Sequence, residues 1–131
     1  MKQVLDSRFL VEYFYSEDKS AHQKLLRKMA ELKTGTGVIP SIALCETVQL
    51  VCTKEGKEKA NLVYLLLLSI GIKIESLTPA LAKEAGLLKS AHKNVPVGDC
   101  IIAATAISNR AVVLSDDSHF DLIKDIKRTW I

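Results

Sequence analysis

Residues 97–117 read VGDCIIAATAISNRAVVLSDD. The body CIIAATAI carries small and apolar residues on all faces at helical length, as expected of a helix pressed against a sheet. It gives way to AVVL at 111–114, a short apolar run with the character of a buried strand. A helix that feeds directly into a buried strand is one unit of an alternating α/β chain. Both elements carry acids at an end: Asp99 opens the helix, and Ser115-Asp116-Asp117 follows the strand.

The same alternation extends outward from this stretch. Short apolar segments occur at 4–6 (VLD), 37–39 (GVI), 72–77 (IKIESL), 111–114 (AVVL) and 128–131 (RTWI), separated by longer helical patterns. Asp18 or Ser20 caps an amphipathic helix through Leu25, Leu26, Met29 and Leu32. Ser41, after Pro40, starts IALCETVQLVCTK, apolar on nearly every side and therefore expected to be mostly buried. Further helices are predicted from Glu58 to Ser69, closing at Gly71, from Pro79 to Lys93, and from Val97 to Asn109. Together these predict a parallel sheet flanked by helices.

With 131 residues, 48% hydrophobic, and no repeat or linker, the chain is expected to form one domain, residues 1–131. The run from Leu62 to Ile72 is shorter than the ~20 residues of a membrane-spanning helix. The N-terminus leads straight into VLD without a secretory pattern, so a soluble, cytoplasmic protein is the expectation. Cys45, Cys52 and Cys100 have apolar neighbours and no paired CxxC spacing, and read as core thiols. A net charge of +3 permits an anionic partner without requiring one.

The acids are the chemical signal. Asp6, Glu46, Asp99 and the pair Asp116 and Asp117 all lie in or at the end of apolar segments, where an unpaired ionised carboxylate is costly to bury. In an open parallel sheet, ligands bind beyond the carboxyl ends of the strands where strand order reverses. If the first and fourth strands are neighbours, Asp6 and the Ser115–Asp117 segment meet there, with Glu46 and Asp99 entering from helices. Two carboxylates about 5 Å apart repel by roughly 3 kcal/mol at an effective dielectric near 20. Either some acids are then protonated, or a hard cation such as Mg²⁺ or Mn²⁺ occupies the cluster. Each acid also has a structural reading: Asp99 favours a helix N-terminus, Asp116 or Asp117 caps a short helix, Glu46 pairs with a lysine or amide, and Asp6 ends a strand in a turn. His22, His92 and His119 share no metal spacing and read as surface residues, with His119 placed to reach the mouth of the cluster.

Four segments in order, VLDSRFLVEYF, PSIALCETVQL, VGDCIIAATAI and VVLSDDSHFDLI, resemble the PIN domain family, which includes the VapC-type toxin ribonucleases of toxin–antitoxin pairs. The resemblance spans nearly the whole chain. It implies an α/β/α sandwich around a parallel sheet of about five strands, and metal-binding catalytic acids at Asp6, Glu46, Asp99 and Asp117. Ser115 takes the hydroxyl position before the last acid, Asp116 is an adjacent alternative ligand, and Ser7 keeps the hydroxyl that follows the first. Ser115 stands where Thr is commoner, and Arg8 where an apolar residue is more usual.

The implied activity is hydrolysis of RNA phosphodiester bonds by a water activated by Mg²⁺ or Mn²⁺. The implied partners are an RNA substrate, an antitoxin protein and a second copy in a homodimer. Lys24, Arg27, Lys28, Lys54, Lys57, Lys59 and Arg110 are candidates to hold the RNA backbone. The alternatives are a housekeeping RNA-processing nuclease and a catalytically silent binding module. A phosphotransfer domain is disfavoured, because no DxD follows Asp6 and no lysine follows AVVL.

Overall fold

The computed structural model describes residues 1–131. Five short strands, β1 (Gln3–Leu5), β2 (Gly37–Pro40), β3 (Lys73–Glu75), β4 (Val112–Leu114) and β5 (Arg128–Thr129), form one sheet in the order β3-β2-β1-β4-β5. Every pairing is parallel. β1 is central: Val4 lies opposite Val38 on one side and Val113 on the other. The connections run outward from β1 to β2 and β3, then return to place β4 on its far side, so strand order reverses at β1 and β4.

Alternation along the strands assigns the two faces. Leu5, Ile39 and Leu114 point into the larger core. That core is completed by α1 (Ser7–Tyr15), α2 (Lys19–Leu32), α3 (Ser41–Glu55) and α4 (Lys57–Ser69). Their neighbours Val4, Val38 and Val113 point the other way, onto Ile102 and Ala106 of α6 (Val97–Asn109) and onto Phe120. Outside α6 packs α5 (Pro79–Ala91), through Leu81 and Ala85 against Cys100, Ala103 and Ala104. The small residues of α6 thus let it lie between the sheet and α5, giving the expected α/β/α layers. The C-terminal Trp130 meets Phe9 edge to face at 6.1 Å, tying the tail to α1.

Local chemistry explains the boundaries. Asp18 Oδ2 accepts from Ala21 N at 2.8 Å and caps α2, while Thr78 Oγ1 accepts from Leu81 N at 3.2 Å and caps α5 ahead of Pro79. Gly56, at φ 92°, separates α3 from α4 in a backbone conformation that favours glycine. No helix is long and apolar enough to cross a membrane.

Three features differ from expectation. Residues 7–15 form α1, an element not anticipated from the sequence. α3 is only partly buried: Ala43, Thr47 and Val51, four residues apart, form its fully buried stripe. Cys45 and Cys52 are exposed rather than core thiols, whereas Cys100 is buried. An apolar residue set all round a helix does not say which side meets the core.

Candidate metal centre

The site begins with the ends of β1 and β4. Asp6 N donates to Leu114 O at 3.2 Å, which joins the strand ends. Asp6 caps α1, its Oδ1 accepting from Ser7 N at 2.8 Å, and its side chain is buried with the residue 2% exposed. Ser115, fully buried, donates its hydroxyl to Asp6 Oδ2 at 2.6 Å and accepts from Asp117 N at 3.0 Å. One hydroxyl therefore fixes both the first acid and the loop that carries the last. Asp117 caps the 3-10 helix Ser118–Leu122, Oδ1 accepting from His119 N at 2.9 Å.

Two helices bring the other acids. Asp99 is in the first turn of α6, where the helix dipole favours a carboxylate, and is 8% exposed. Glu46, on α3, reaches across to the same helix end. A Cβ added to Gly98 would stand 2.9 Å from Glu46 Oε2, so the absence of a side chain at 98 is what admits that carboxylate. The other oxygen, Glu46 Oε1, is buried without a hydrogen-bond partner.

The electrostatics register this convergence. Asp99 is pushed up to about 7, first by burial and then by Asp6, Asp117 and Glu46, with His119 opposing. Burial raises Asp6 above the usual carboxylate range, against the hydrogen bonds from Ser115 and Ser7, with Asp117 adding to the rise. Glu46 is also raised, chiefly by burial, with the Ser7 hydroxyl opposing and Asp6 reinforcing. These are the effects of like charges held together out of water.

Asp116 differs from these four. Arg8 forks onto it through Nε to Oδ1 and Nη2 to Oδ2, the latter at 3.2 Å, and holds it below the usual range. Asp117, not Asp116, has its carboxylate beside Asp99. His119 Nδ1 is 3.0 Å from Asp117 Oδ1 and 3.4 Å from Asp99 Oδ2, and ligand atoms of the three residues all lie within 4.8 Å of one another. The sequence placed His119 no closer than the mouth. The signal was its i+2 spacing from Asp117, which a tight 3-10 turn converts into contact. Gly98 and Arg8 carry no such local signal, because each acts on an acid distant in sequence.

The donor set suits a hard divalent cation. It is dominated by carboxylate oxygens, includes one buried oxygen with no partner, and holds three acids above their ordinary range, chiefly by burial and further by their neighbouring acids. The largest cavity, about 650 Å³, lies elsewhere, between α5 and α6, and none of the four acids lines it. A smaller groove of about 450 Å³ opens beside Ser7 and Glu46.

A family model described as PIN domain matches residues 4–126. No curated protein sequence matches the chain. Among solved structures, VapBC2 from Rickettsia felis, bound to a DNA fragment from its promoter, aligns with TM-score 0.78 at 20% identity, covering 100% of this chain and 99% of that one. Mycobacterium tuberculosis VapC20, a Sarcin-Ricin loop cleaving toxin, aligns with TM-score 0.77 at 18% identity, covering 92% and 94%. DNA-bound VapBC from Salmonella typhimurium aligns with TM-score 0.76 at 20% identity, covering 99% and 98%. At these identities the likeness is one of fold.

Proposed function

The chain belongs to the PIN domain family, and from that premise we propose that it is a metal-dependent endoribonuclease, the toxin of a VapBC-type toxin–antitoxin pair. The observation that carries this reading is the convergence of four carboxylates at the ends of β1 and β4, with Glu46 Oε1 buried and unpartnered. Asp6, Glu46, Asp99 and Asp117 would hold Mg²⁺ or Mn²⁺, and Asp116 serves instead as the anchor of Arg8. The bound ion would neutralise the acids, activate water and stabilise charge on the attacked phosphate.

The protein's own groups have distinct tasks. Ser115 sets the Asp6 carboxylate and the Asp117 loop in one register. Ser7 supports Asp6 and Glu46. Asp99, in the first turn of α6, would present its carboxylate to the ion, whose charge offsets the burial and the neighbouring acids that raise it in the metal-free protein. His119 restrains Asp99 and Asp117 on the solvent side.

Partners follow from uncovered apolar surface. Leu62, Leu65, Leu66 and Leu68 of α4 are each at least half exposed, and Leu87, Val97 and Ile107 expose a second apolar region along α5 and α6. Two such regions on one small chain call for two protein contacts. We assign them to a homodimer and to an antitoxin, the latter by analogy with the VapBC complexes of like fold.

The test is cleavage of end-labelled single-stranded RNA with Mg²⁺, Mn²⁺ or EDTA, comparing wild type with Asp99→Asn purified identically. Metal-dependent cutting that falls at least ~100-fold in the variant is expected. Equal activity in both proteins would refute the site, and the absence of cutting across a panel of RNAs would refute the nuclease.

A further inference from the structure

The groove beside the acids runs between α1 and α3. Ser7 and Glu46 belong to it at the carboxylate end, Gln49 and Thr53 follow along α3, and Lys54 lies about 12 Å of helix beyond Glu46. Val11 and Leu50 supply its apolar lining. Lys54 is set in place: its Nζ lies 4.8 Å from the centroid of the Tyr15 ring, and the Tyr15 hydroxyl donates to Glu55.

We propose that this groove is a single-strand RNA track and that Lys54 grips a backbone phosphate on the flank of the cleaved bond. The inference rests on the nuclease reading for its substrate. None of the other basic residues singled out from the sequence lines this groove. Arg110 ends α6 about 16 Å of helix from Asp99, and Lys24, Arg27 and Lys28 line a separate hollow with Glu31 and Ile131. Lys54 shares its groove with two residues of the site.

The lining favours nucleic acid over a protein segment. It joins one cation and the polar Gln49 and Thr53 to a small apolar patch, whereas the extended leucine surface for a protein lies on α4. A strand seated on Lys54 and running toward Glu46 is delivered to the carboxylates. A cleft of about 450 Å³ admits a splayed single strand rather than a duplex, whose readable surface is broad and shallow.

The experiment is anisotropy titration of a fluorescent short single-stranded RNA against the full chain with Ca²⁺, over a series of salt concentrations. Lys54→Gln should weaken binding about three- to tenfold and reduce the log–log salt slope by about 0.7, the value for one phosphate contact on a single strand. Thr53→Lys, which adds a cation on the same wall, should tighten binding and steepen the slope by a similar amount. Both positions are exposed, so unchanged thermal unfolding is expected. Wild type that fails to bind RNA, or slopes unmoved by both variants, overturns the track. Mg²⁺-dependent cleavage is scored separately. Binding that responds to Lys54 without any cleavage refutes the nuclease and keeps the track, and cleavage by a protein whose RNA binding is indifferent to both variants does the reverse.

Discussion

At the scale of single residues, the acid cluster is held at a cost in stability. Asp99 takes up its proton at about 7 in the folded chain against an ordinary value of 3.8, so folding binds a proton between those limits. The metal-free protein therefore loses stability as pH rises from about 4 to about 7. Asp99→Asn removes that penalty. In EDTA at pH 7–8 the variant should unfold at a higher denaturant midpoint, by on the order of 1–3 kcal/mol. Its advantage should grow between pH 4 and 7 and then level off; an advantage that shrinks with rising pH would contradict the assignment. Gly98→Ala tests the acid across the cleft. The added methyl clashes with the flexible end of Glu46 and makes an ordinary contact with Ile42, so stability should change by less than ~1 kcal/mol while RNA cleavage falls at least ~10-fold as the carboxylate is displaced. Cleavage equal to wild type would remove Glu46 from the site. The acids themselves were legible because ionised groups stand out in apolar segments. Gly98 was not, since the absence of a side chain has meaning only once its neighbour is known.

Among the elements, α6 has the most demanding position, since it contacts the sheet on one side and α5 on the other. Its small residues made it readable as a buried helix. Its end was less so: Arg110 adopts a left-handed conformation at φ 52°, where a residue with a Cβ is disfavoured, and its N–H bonds to the carbonyls of Ala106 and Ile107. Arg110→Gly should raise stability by about 0.5–1 kcal/mol, measured by chemical denaturation, without altering RNA cleavage. A loss of stability would mean that the Arg110 side chain contributes more than its backbone costs. The missed helix α1 shows the opposite case. Its residues SRFLVEYFY mix aromatic and β-branched types that do not favour a helix strongly, and the Asp6 cap together with packing of Phe9 and Leu10 in the core decides the matter. Likewise, Cys45 and Cys52 lie seven residues apart on α3, and the packing of its Ala43, Thr47 and Val51 stripe turned them outward.

For the whole molecule, the apolar faces of α4 and of α5–α6 predict an oligomer. Light scattering should give a mass about twice the 14.4 kDa of one chain, and a monomer at tens of micromolar would refute the homodimer. Mg²⁺ or Mn²⁺ should also raise the unfolding temperature of wild type, by about 2.7 kcal/mol of stability at a hundredfold excess over Kd, with little effect on Asp99→Asn. An equal gain in both proteins would place the ion elsewhere. The sequence alone determined the alternating α/β class, most element positions and the four acids, because hydrophobic periodicity, caps and charges in apolar segments are local signals. Tertiary structure decided which strand ends are neighbours, and hence that Ser115 bridges Asp6 to the Asp117 loop, that Arg8 claims Asp116, and that His119 meets Asp99. Those pairings depend on strand order and on which face each helix buries, and these follow from the packing of residues as much as 109 positions apart.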